Sequence, residues 1–134
     1  MKKAALFLTT LAAVLAIPAT VAEAGPKLTP QQKLDKMLEG RVAGKPVSCI
    51  DTYINRDSTV IDKTAIVYGS GRTIYVNRPK YPESLRSDDV LVTRLSSTRL
   101  CSVDVVNLHE RSGGWSRGFV GLGEFVPYTK VASR

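Results

Sequence analysis

Few residues of this chain carry the side chains that catalysis usually needs. His109 is the only histidine, and with Asp104 as its orienting carboxylate it could serve as the base of a serine hydrolase. Three serines nearby in the sequence offer a nucleophile: Ser102, Ser112 and Ser116. None stands in the G-x-S-x-G turn that positions the nucleophile of many hydrolases. A histidine that ends a predicted strand beside a glycine-rich loop is more simply explained as a solvated side chain, so the sequence names no catalytic residue.

Metal and cofactor motifs are also missing from the sequence. One histidine and two cysteines are too few for a zinc site built from nitrogen and sulfur ligands. Asp88 and Asp89 are adjacent, without the alternating oxygen ligands of a calcium loop, and we expect them to precede a strand that starts at Val90. The glycine-rich segment 118–123 matches no phosphate-binding loop. The sequence therefore predicts no metal and no cofactor.

The first 24 residues have the pattern of a Sec-type signal peptide. Residues 1–3 are basic at two positions, residues 4–17 are apolar except for two threonines, and Ala22 and Ala24 occupy the −3 and −1 positions of a cleavage site. The apolar run is shorter than the roughly 20 residues of a membrane-spanning helix. The pattern predicts export to the periplasm, or secretion, with no transmembrane segment in the mature chain. Cleavage directly after Ala22 is the alternative.

The predicted export affects the expected chemistry of the two cysteines. Cys49 and Cys101 both lie in the mature part of the chain, about fifty residues apart. Metal-binding and redox pairs usually have close spacing such as C-x-x-C. In an oxidising compartment a single pair of cysteines favours a disulfide, which would close a long loop. We therefore predict a structural Cys49–Cys101 bond.

The mature domain, residues 25–134, is basic. Removal of the signal peptide leaves 17 basic and 11 acidic residues, so the net charge falls from +7 to +6. Six cations in one stretch form a candidate binding face: Arg72, Arg78, Lys80, Arg86, Arg94 and Arg99. Export argues against nucleic acid as a partner. The anions of the envelope, including lipopolysaccharide phosphates and acidic peptidoglycan groups, would attract such a face, and a merely solvated surface is the alternative.

One helix is predicted near the start of the mature domain. Thr29 has the properties of an N-cap, Pro30 of the first helical residue, and Gln32 of the residue that completes a capping box. The apolar stripe consists of Leu34, Met37 and Leu38. Gly40 is a typical residue to follow the end of a helix. The helix is short and must pack on another element to be stable.

The rest of the domain has the composition of short strands. The β-rich runs are 47–54, 59–61, 64–68, 73–77, 90–95, 99–108 and 119–128. Glycine-rich loop 69–72 predicts a hairpin between its two flanking runs, and 96–98 predicts a second one. Gly121 and Gly123 indicate a bulge or bend in the last run. The pattern predicts a mainly β fold: an antiparallel meander of five to seven strands, barrel-like or sandwich-like, with the helix covering an edge or an end.

Strand alternation raises a separate question about Asp104. On a continuous strand it would share a face with Leu100, Val106 and Leu108, which predicts partial burial. A buried carboxylate needs a cation or several N–H donors. We expect a structural ion pair with Arg94 or Arg99, and the alternative is the polar floor of a ligand cleft.

Several segments together resemble a family of small exported proteins of unknown function from Gram-negative bacteria, common in sphingomonads. The segments that carry the resemblance are 40–50, 64–68, 73–79, 99–104 and 118–128. The resemblance implies export and a small β-rich domain, and it supplies no activity, cofactor or catalytic residue. Relatives of this kind carry an additional cysteine in the loop that corresponds to 78–89, where this chain has none.

Three functions follow as hypotheses. The first is a non-catalytic periplasmic module that binds an anionic envelope component or another periplasmic protein. The second is a small hydrolase that uses His109 and Asp104. The third is an inhibitor of a cell-wall-degrading enzyme such as lysozyme, although a basic inhibitor would be repelled by a basic enzyme.

Overall fold

The computed structural model describes residues 24–132. Residues 1–23 of the predicted signal peptide, which include Ala22, lie outside the described residues. Its last residue, Ala24, is described. Neither helix in residues 24–132 is long and apolar enough to cross a membrane. In chain order the elements are α1 (Pro30–Leu38), β1 (Arg41–Ala43), β2 (Cys49–Asp51), β3 (Ser58–Ile61), β4 (Ala65–Tyr68), β5 (Thr73–Asn77), a 3₁₀ helix (Pro82–Ser84), β6 (Val90–Val92), β7 (Arg99–Cys101), β8 (Val105–His109), β9 (Ser116–Gly121) and β10 (Phe125–Lys130).

The strands form three antiparallel sheets, which confirms the mainly β, sandwich-like class. The largest sheet has five strands in the order β1-β10-β5-β4-β3. β2 pairs with β7, and the third sheet has the order β6-β8-β9. Within the described part of the chain these sheets do not close into a barrel. The described residues form ten strands rather than five to seven, because two of the predicted runs, 99–108 and 119–128, are each divided into two strands, and Arg41–Ala43 adds a strand outside the predicted runs.

The five-stranded sheet is the middle layer of the molecule. Ala65 and Val67 of β4 belong to a core cluster on one face of this sheet, together with Leu34 of α1. Ile66 and Tyr68 belong to a second cluster on the other face, which includes side chains from the two smaller sheets. All four residues of β4 are therefore buried. A strand covered on both faces is continuously apolar, as this one is.

The predicted helix is confirmed at both ends. The Thr29 backbone N–H donates to Gln32 Oε1 at 2.9 Å, and the Gln32 N–H donates to Thr29 Oγ1 at 3.2 Å, which completes the capping box. Pro30 is the first helical residue. Gly40 follows the helix with φ +71°, a left-handed conformation that favours glycine. Local signals were sufficient here because both ends are determined by residues within one turn.

The two predicted hairpins have different outcomes. β4 and β5 pair across the glycine-rich loop, as expected. The hairpin across 96–98 is wrong, because β6 pairs with β8 while β7 pairs with β2. A turn divides the run 99–108: the Asp104 N–H donates to the Cys101 carbonyl, and the Cys101 N–H donates to Asp104 Oδ2 at 2.7 Å. Among the described residues Asp104 makes no ion pair, so the predicted pairing with Arg94 or Arg99 is also wrong.

The predicted bend at Gly121 and Gly123 is confirmed, since β9 ends at the first and β10 begins after the second. A Cβ on Gly123 would lie 2.6 Å from the Arg78 carbonyl oxygen, so only glycine fits. The buried Asn77 amide holds this close approach. Its nitrogen donates to the Gly123 carbonyl at 2.7 Å, and its oxygen accepts from the Gly123 N–H at 3.0 Å.

One buried polar group in the core has no partner. The Tyr68 side chain is only 6% exposed, and its hydroxyl bonds no protein atom in residues 24–132. Its ring packs edge-on against Phe125 with centroids 5.8 Å apart. Burial raises the pKa of the Tyr68 phenol above its ordinary value of 10.0, because the phenolate would lose its hydration.

This shift predicts a loss of stability in alkali. The folded state holds the phenol proton more tightly than the unfolded state, so stability is complete below pH 10 and falls as the pH rises further. Wild type should lose about 1.4 kcal/mol more unfolding free energy than Tyr68→Phe between pH 9 and pH 11, measured by urea denaturation. An equal loss of unfolding free energy in wild type and Tyr68→Phe would contradict the prediction.

Candidate binding surface

The disulfide is present as predicted. Cys49 and Cys101 are direct partners in the β2–β7 register, with their Cα atoms 4.0 Å apart, and their sulfur atoms are bonded. The bond joins residues 52 positions apart in sequence. It ties the small β2–β7 sheet together across two strands that no short loop connects. Neither cysteine is free to ligate a metal or to act as a thiol nucleophile.

The structure does not bring His109 and Asp104 together. They are five residues apart on and beside β8, so an extended backbone places them on opposite faces and about 17 Å apart. His109 Nδ1 lies 2.9 Å from the Gly114 carbonyl oxygen, and the Asp104 carboxylate accepts the Cys101 N–H. Ser116 is the register partner of His109 on β9. Within residues 24–132 no carboxylate forms a hydrogen bond with His109, so this pair is not extended to a triad.

The six predicted cations do not form one face. Arg72 and Arg78 flank opposite ends of β5, which separates them by about 20 Å. Arg99 lies on β7 as the register partner of Asp51. The predicted face was drawn from one stretch of sequence, but the strands reverse direction within it and distribute the charges. Two of the six, Lys80 and Arg94, border a different surface, Lys80 beside β9 and Arg94 after β6.

That surface is the side of the β6-β8-β9 sheet that faces away from the core, and we call it the outer face. Along β8 the burial alternates: Val106 and Leu108 are buried in the core, while Val105, Asn107 and His109 face outward. The register extends this pattern to the neighbouring strands. The outward residues are Val90 and Val92 on β6, Val105, Asn107 and His109 on β8, and Phe119 on β9.

The outer face is open to solvent, and exposed apolar side chains surround Asn107 at its centre. Phe119 lies beside Asn107 in the register and is 68% exposed. The three valines of the outer face are all exposed as well. Trp115, in the loop that joins β8 to β9, is 74% exposed. Several exposed apolar side chains on one face of a small protein are typical of an interaction surface.

Lys80 and Arg94 lie at one end of the outer face. The Lys80 Cδ is 3.9 Å from the position that a Cβ on Gly121 would occupy, and Gly121 is the register partner of Val105. The lysine stem therefore covers the sheet beside an exposed valine. Arg94 follows β6 and is exposed, while its neighbours Thr93 and Leu95 line a cavity on the inner side. Neither cation has a carboxylate partner among the described residues.

A buried ion pair supports the sheet at its β9 edge. Arg117 donates through Nε to Asp89 Oδ1 at 2.9 Å and through a terminal nitrogen to Oδ2 at 3.0 Å, and the Asp89 side chain is 1% exposed. Asp89 Oδ2 also accepts the Arg86 N–H at 2.8 Å. The hydrogen bond to Asp89 raises the pKa of the Arg117 guanidinium, which stays charged. This pair fixes the connection 78–89 against β9.

No signal in the sequence pointed to this pairing. The sequence predicts only that Asp89 precedes the strand at Val90, whereas Asp89 is buried and paired, and Arg117 belongs to no recognised motif. The two residues are far apart in the chain and follow no short motif, so only the tertiary fold brings them together. The outer face was missed for a related reason: the run 99–108 is apolar at both alternating positions, which does not reveal which side is buried.

Within residues 24–132 no three histidine, cysteine, aspartate or glutamate side chains lie close enough to hold a metal ion. Comparison of the chain with protein-family models, curated proteins and solved structures finds no match. Among the described residues, the outer face and the cations beside it form the candidate binding surface.

Proposed function

We propose that the mature chain is a non-catalytic periplasmic module that binds anionic lipid surfaces of the cell envelope, lipopolysaccharide included, through the outer face. The observation that carries this proposal is the combination of exposed Phe119 and its neighbouring valines with two unpaired cations, Lys80 and Arg94. Apolar side chains beside cations fit the boundary between acyl chains and phosphate groups. A carboxylate is absent from the defined outer face.

Electrostatic attraction and apolar contact would both favour binding at such a surface. The mature chain has a net charge of +6, and long-range attraction to an anionic surface would concentrate the protein there in a salt-dependent manner. Each lysine or arginine near an anionic membrane contributes about 1 kcal/mol. Exposed Phe119 and Trp115 would add apolar contact at the interface, where aromatic rings are favoured. The Lys80 stem can lie along apolar groups while its ammonium reaches a phosphate.

The compartment is part of the proposal. A signal peptide over residues 1–24 would deliver the domain to the periplasm, where the Cys49–Cys101 bond is stable. The resemblance to small exported proteins of Gram-negative bacteria agrees with this placement. Peptidoglycan and another periplasmic protein are the competing partners. The cationic end of the outer face argues against a basic cell-wall-degrading enzyme as the partner, because like charges repel.

A paired charge experiment tests the role of Lys80 and Arg94. The variant Lys80→Gln/Arg94→Gln should bind lipopolysaccharide vesicles roughly 30-fold more weakly than wild type at low salt, because two contacts of about 1 kcal/mol each are lost. The matched control Arg72→Gln/Arg99→Gln removes the same charge elsewhere and should weaken binding only a few-fold. Co-sedimentation of the mature domain with vesicles measures both.

An apolar variant and other envelope fractions distinguish apolar contact, charge and a glycan partner as causes of binding. Phe119→Ser should weaken pelleting at high salt, where the charge contribution is screened and apolar contact dominates. Zwitterionic vesicles should bind little wild-type protein. If the two double variants lose equal binding affinity for the vesicles, net charge alone determines binding and the outer face has no specific role. Pelleting with peptidoglycan sacculi and not with vesicles would replace the lipid surface by a glycan partner.

A further inference from the structure

Two sheet edges that have no strand partner lie on either side of one groove. In the described part of the chain β3 is the last strand of the five-stranded sheet and pairs only with β4, while β6 is the last strand of its own sheet and pairs only with β8. The groove between them has a volume of about 320 Å³, and its walls include Ser58 and Val60 of β3 and Leu91 of β6. We call it the edge groove.

The backbone groups of Ser58 and Val60 point away from β4. Along an antiparallel pair, residues that bond the partner strand alternate with residues whose N–H and C=O point to the other side. The Gly69 N–H donates to the Asp57 carbonyl at 2.8 Å, so Asp57 and, two positions further, Thr59 bond towards β4. Ser58 and Val60 therefore direct their N–H and C=O groups to the unpaired edge. Within residues 24–132 these groups form no backbone hydrogen bond beyond the β3–β4 pair.

The far end of the β3 edge is covered by another part of the chain. The Lys63 N–H donates to the Leu85 carbonyl at 3.1 Å, and the Ser87 N–H donates to Asp62 Oδ1 at 3.3 Å. The connection 78–89 thus packs beyond the end of β3 and leaves only its first residues open. An open edge of this length can accept a short extended segment, whose main chain would form the missing hydrogen bonds.

Two cations flank the open part of β3. Arg111 lines the edge groove, and Arg56 lies two positions before Ser58. Both side chains are exposed, and neither has a carboxylate partner among the described residues. Of the described residues that line the groove, Asp89 alone has a carboxylate, which is buried and paired with Arg117. The edge groove therefore favours a segment that carries negative charge.

We propose that the edge groove binds an extended acidic segment of a partner protein, which adds a strand to the five-stranded sheet beside β3. Main-chain bonds to Ser58 and Val60 supply affinity, and every second side chain of the segment enters the groove. Acidic residues at the two ends of the segment pair with Arg56 and Arg111. A second copy of this chain is disfavoured as the occupant, because the mature domain has a net charge of +6.

An NMR titration of the ¹⁵N-labelled mature domain tests the proposal, with the peptide acetyl-Glu-Val-Thr-Val-Glu-amide as the probe. The amide protons of Ser58 and Val60 should move downfield as they acquire hydrogen bonds, whereas amides of β1, at the opposite edge of the sheet, should not shift. The same peptide with its three central amides N-methylated should bind roughly 10-fold more weakly or worse, because it lacks main-chain donors. A basic peptide with lysine in place of both glutamates should not bind.

The charges beside the edge groove have a matched comparison. Arg111→Gln should weaken binding of the acidic peptide roughly 2- to 5-fold, as expected for the loss of one exposed ion pair. Lys130→Gln removes the same charge from β10, which is separated from β3 by two strands, and should change the affinity little. Phe119→Ser should leave peptide binding unchanged, which distinguishes this site from the lipid contact of the outer face.

Four results would overturn the proposal: no binding of the acidic peptide by wild type, amide shifts centred on β1 or on the outer face, equal affinity for the N-methylated peptide, or equal losses in Arg111→Gln and Lys130→Gln. None of these measurements uses lipid, and β3 belongs to a different sheet from the outer face. The edge groove and the lipid-binding surface can therefore be tested independently of each other.

Discussion

Replacement of both cysteines by serine is expected to lower the free energy of unfolding by about 4 kcal/mol. The Cys49–Cys101 bond closes a loop of 52 residues, and the chain-entropy model gives this magnitude for a loop of that length. The bond also joins β2 to β7, a sheet of only three residue pairs. Because small domains are stable by only about 5–15 kcal/mol, the variant should unfold at a much lower urea concentration.

A reductant supplies the control for this prediction. Dithiothreitol should lower the urea midpoint of wild type toward that of Cys49→Ser/Cys101→Ser and leave the double variant unchanged. Alkylation before reduction should add no mass to the protein, and alkylation after reduction should label two thiols. A double variant as stable as oxidised wild type would contradict the structural role of the bond.

Asp89→Ala is expected to cost about 3 kcal/mol of unfolding free energy. The substitution removes both acceptors of the Arg117 guanidinium and the acceptor of the Arg86 N–H. Deleting one member of a buried ion pair leaves the other charge desolvated and unpaired, which typically costs 3–5 kcal/mol. The arginine side chain retains 15% exposure, so solvent should recover part of that loss. Urea denaturation at neutral pH measures the difference.

The neighbouring Asp88 provides a matched control, because Asp88→Ala removes the same charge from an exposed position and should change stability by less than about 0.5 kcal/mol. The double variant Asp89→Leu/Arg117→Met should recover most of the stability, since an apolar pair can replace a buried ion pair. Equal effects of the two single alanine variants would contradict a specific role for the Asp89–Arg117 pair.

Sequence-local features of the fold could be predicted, and the reasons are physical. The capping box of Thr29 and Gln32 is satisfied within one helical turn. The β4–β5 hairpin is determined by a glycine-rich loop between two β-branched runs. The disulfide followed from the number of cysteines and the predicted compartment. Each of these depends on neighbours in sequence or on composition, without knowledge of the tertiary arrangement.

Features that depend on long-range pairing could not be predicted. β7 pairs with β2 rather than with its neighbour in sequence, because the Asp104 carboxylate stabilises a turn inside what reads as one strand. The same turn changes the expected environment of Asp104. The outer face is the side of β8 that the core does not cover. The sequence does not reveal which side this is, because apolar residues occur on both sides of the strand.

Lys80 and Arg94 illustrate the same limit for function. Their charge is evident in the sequence, together with that of four other cations, but their position at one end of the outer face depends on the end of β6 and on the close approach of Lys80 to Gly121. Arg72 and Arg78, which are closer together in sequence, lie at opposite ends of β5. The number of cations leads to the hypothesis of an anionic partner, and the choice of a surface requires the fold.

The measurement that tests the central claim most directly is an NMR footprint of the ¹⁵N-labelled mature domain titrated with lipopolysaccharide. Binding through the outer face predicts that amide signals of β6, β8 and β9 broaden first, strongest near Phe119 and Gly121, and that high salt reverses the effect. The β1 and β3 edges of the five-stranded sheet should change little. Broadening confined to β2, β7 or the β4–β5 loop, or uniform across the domain, would contradict the assignment of this surface.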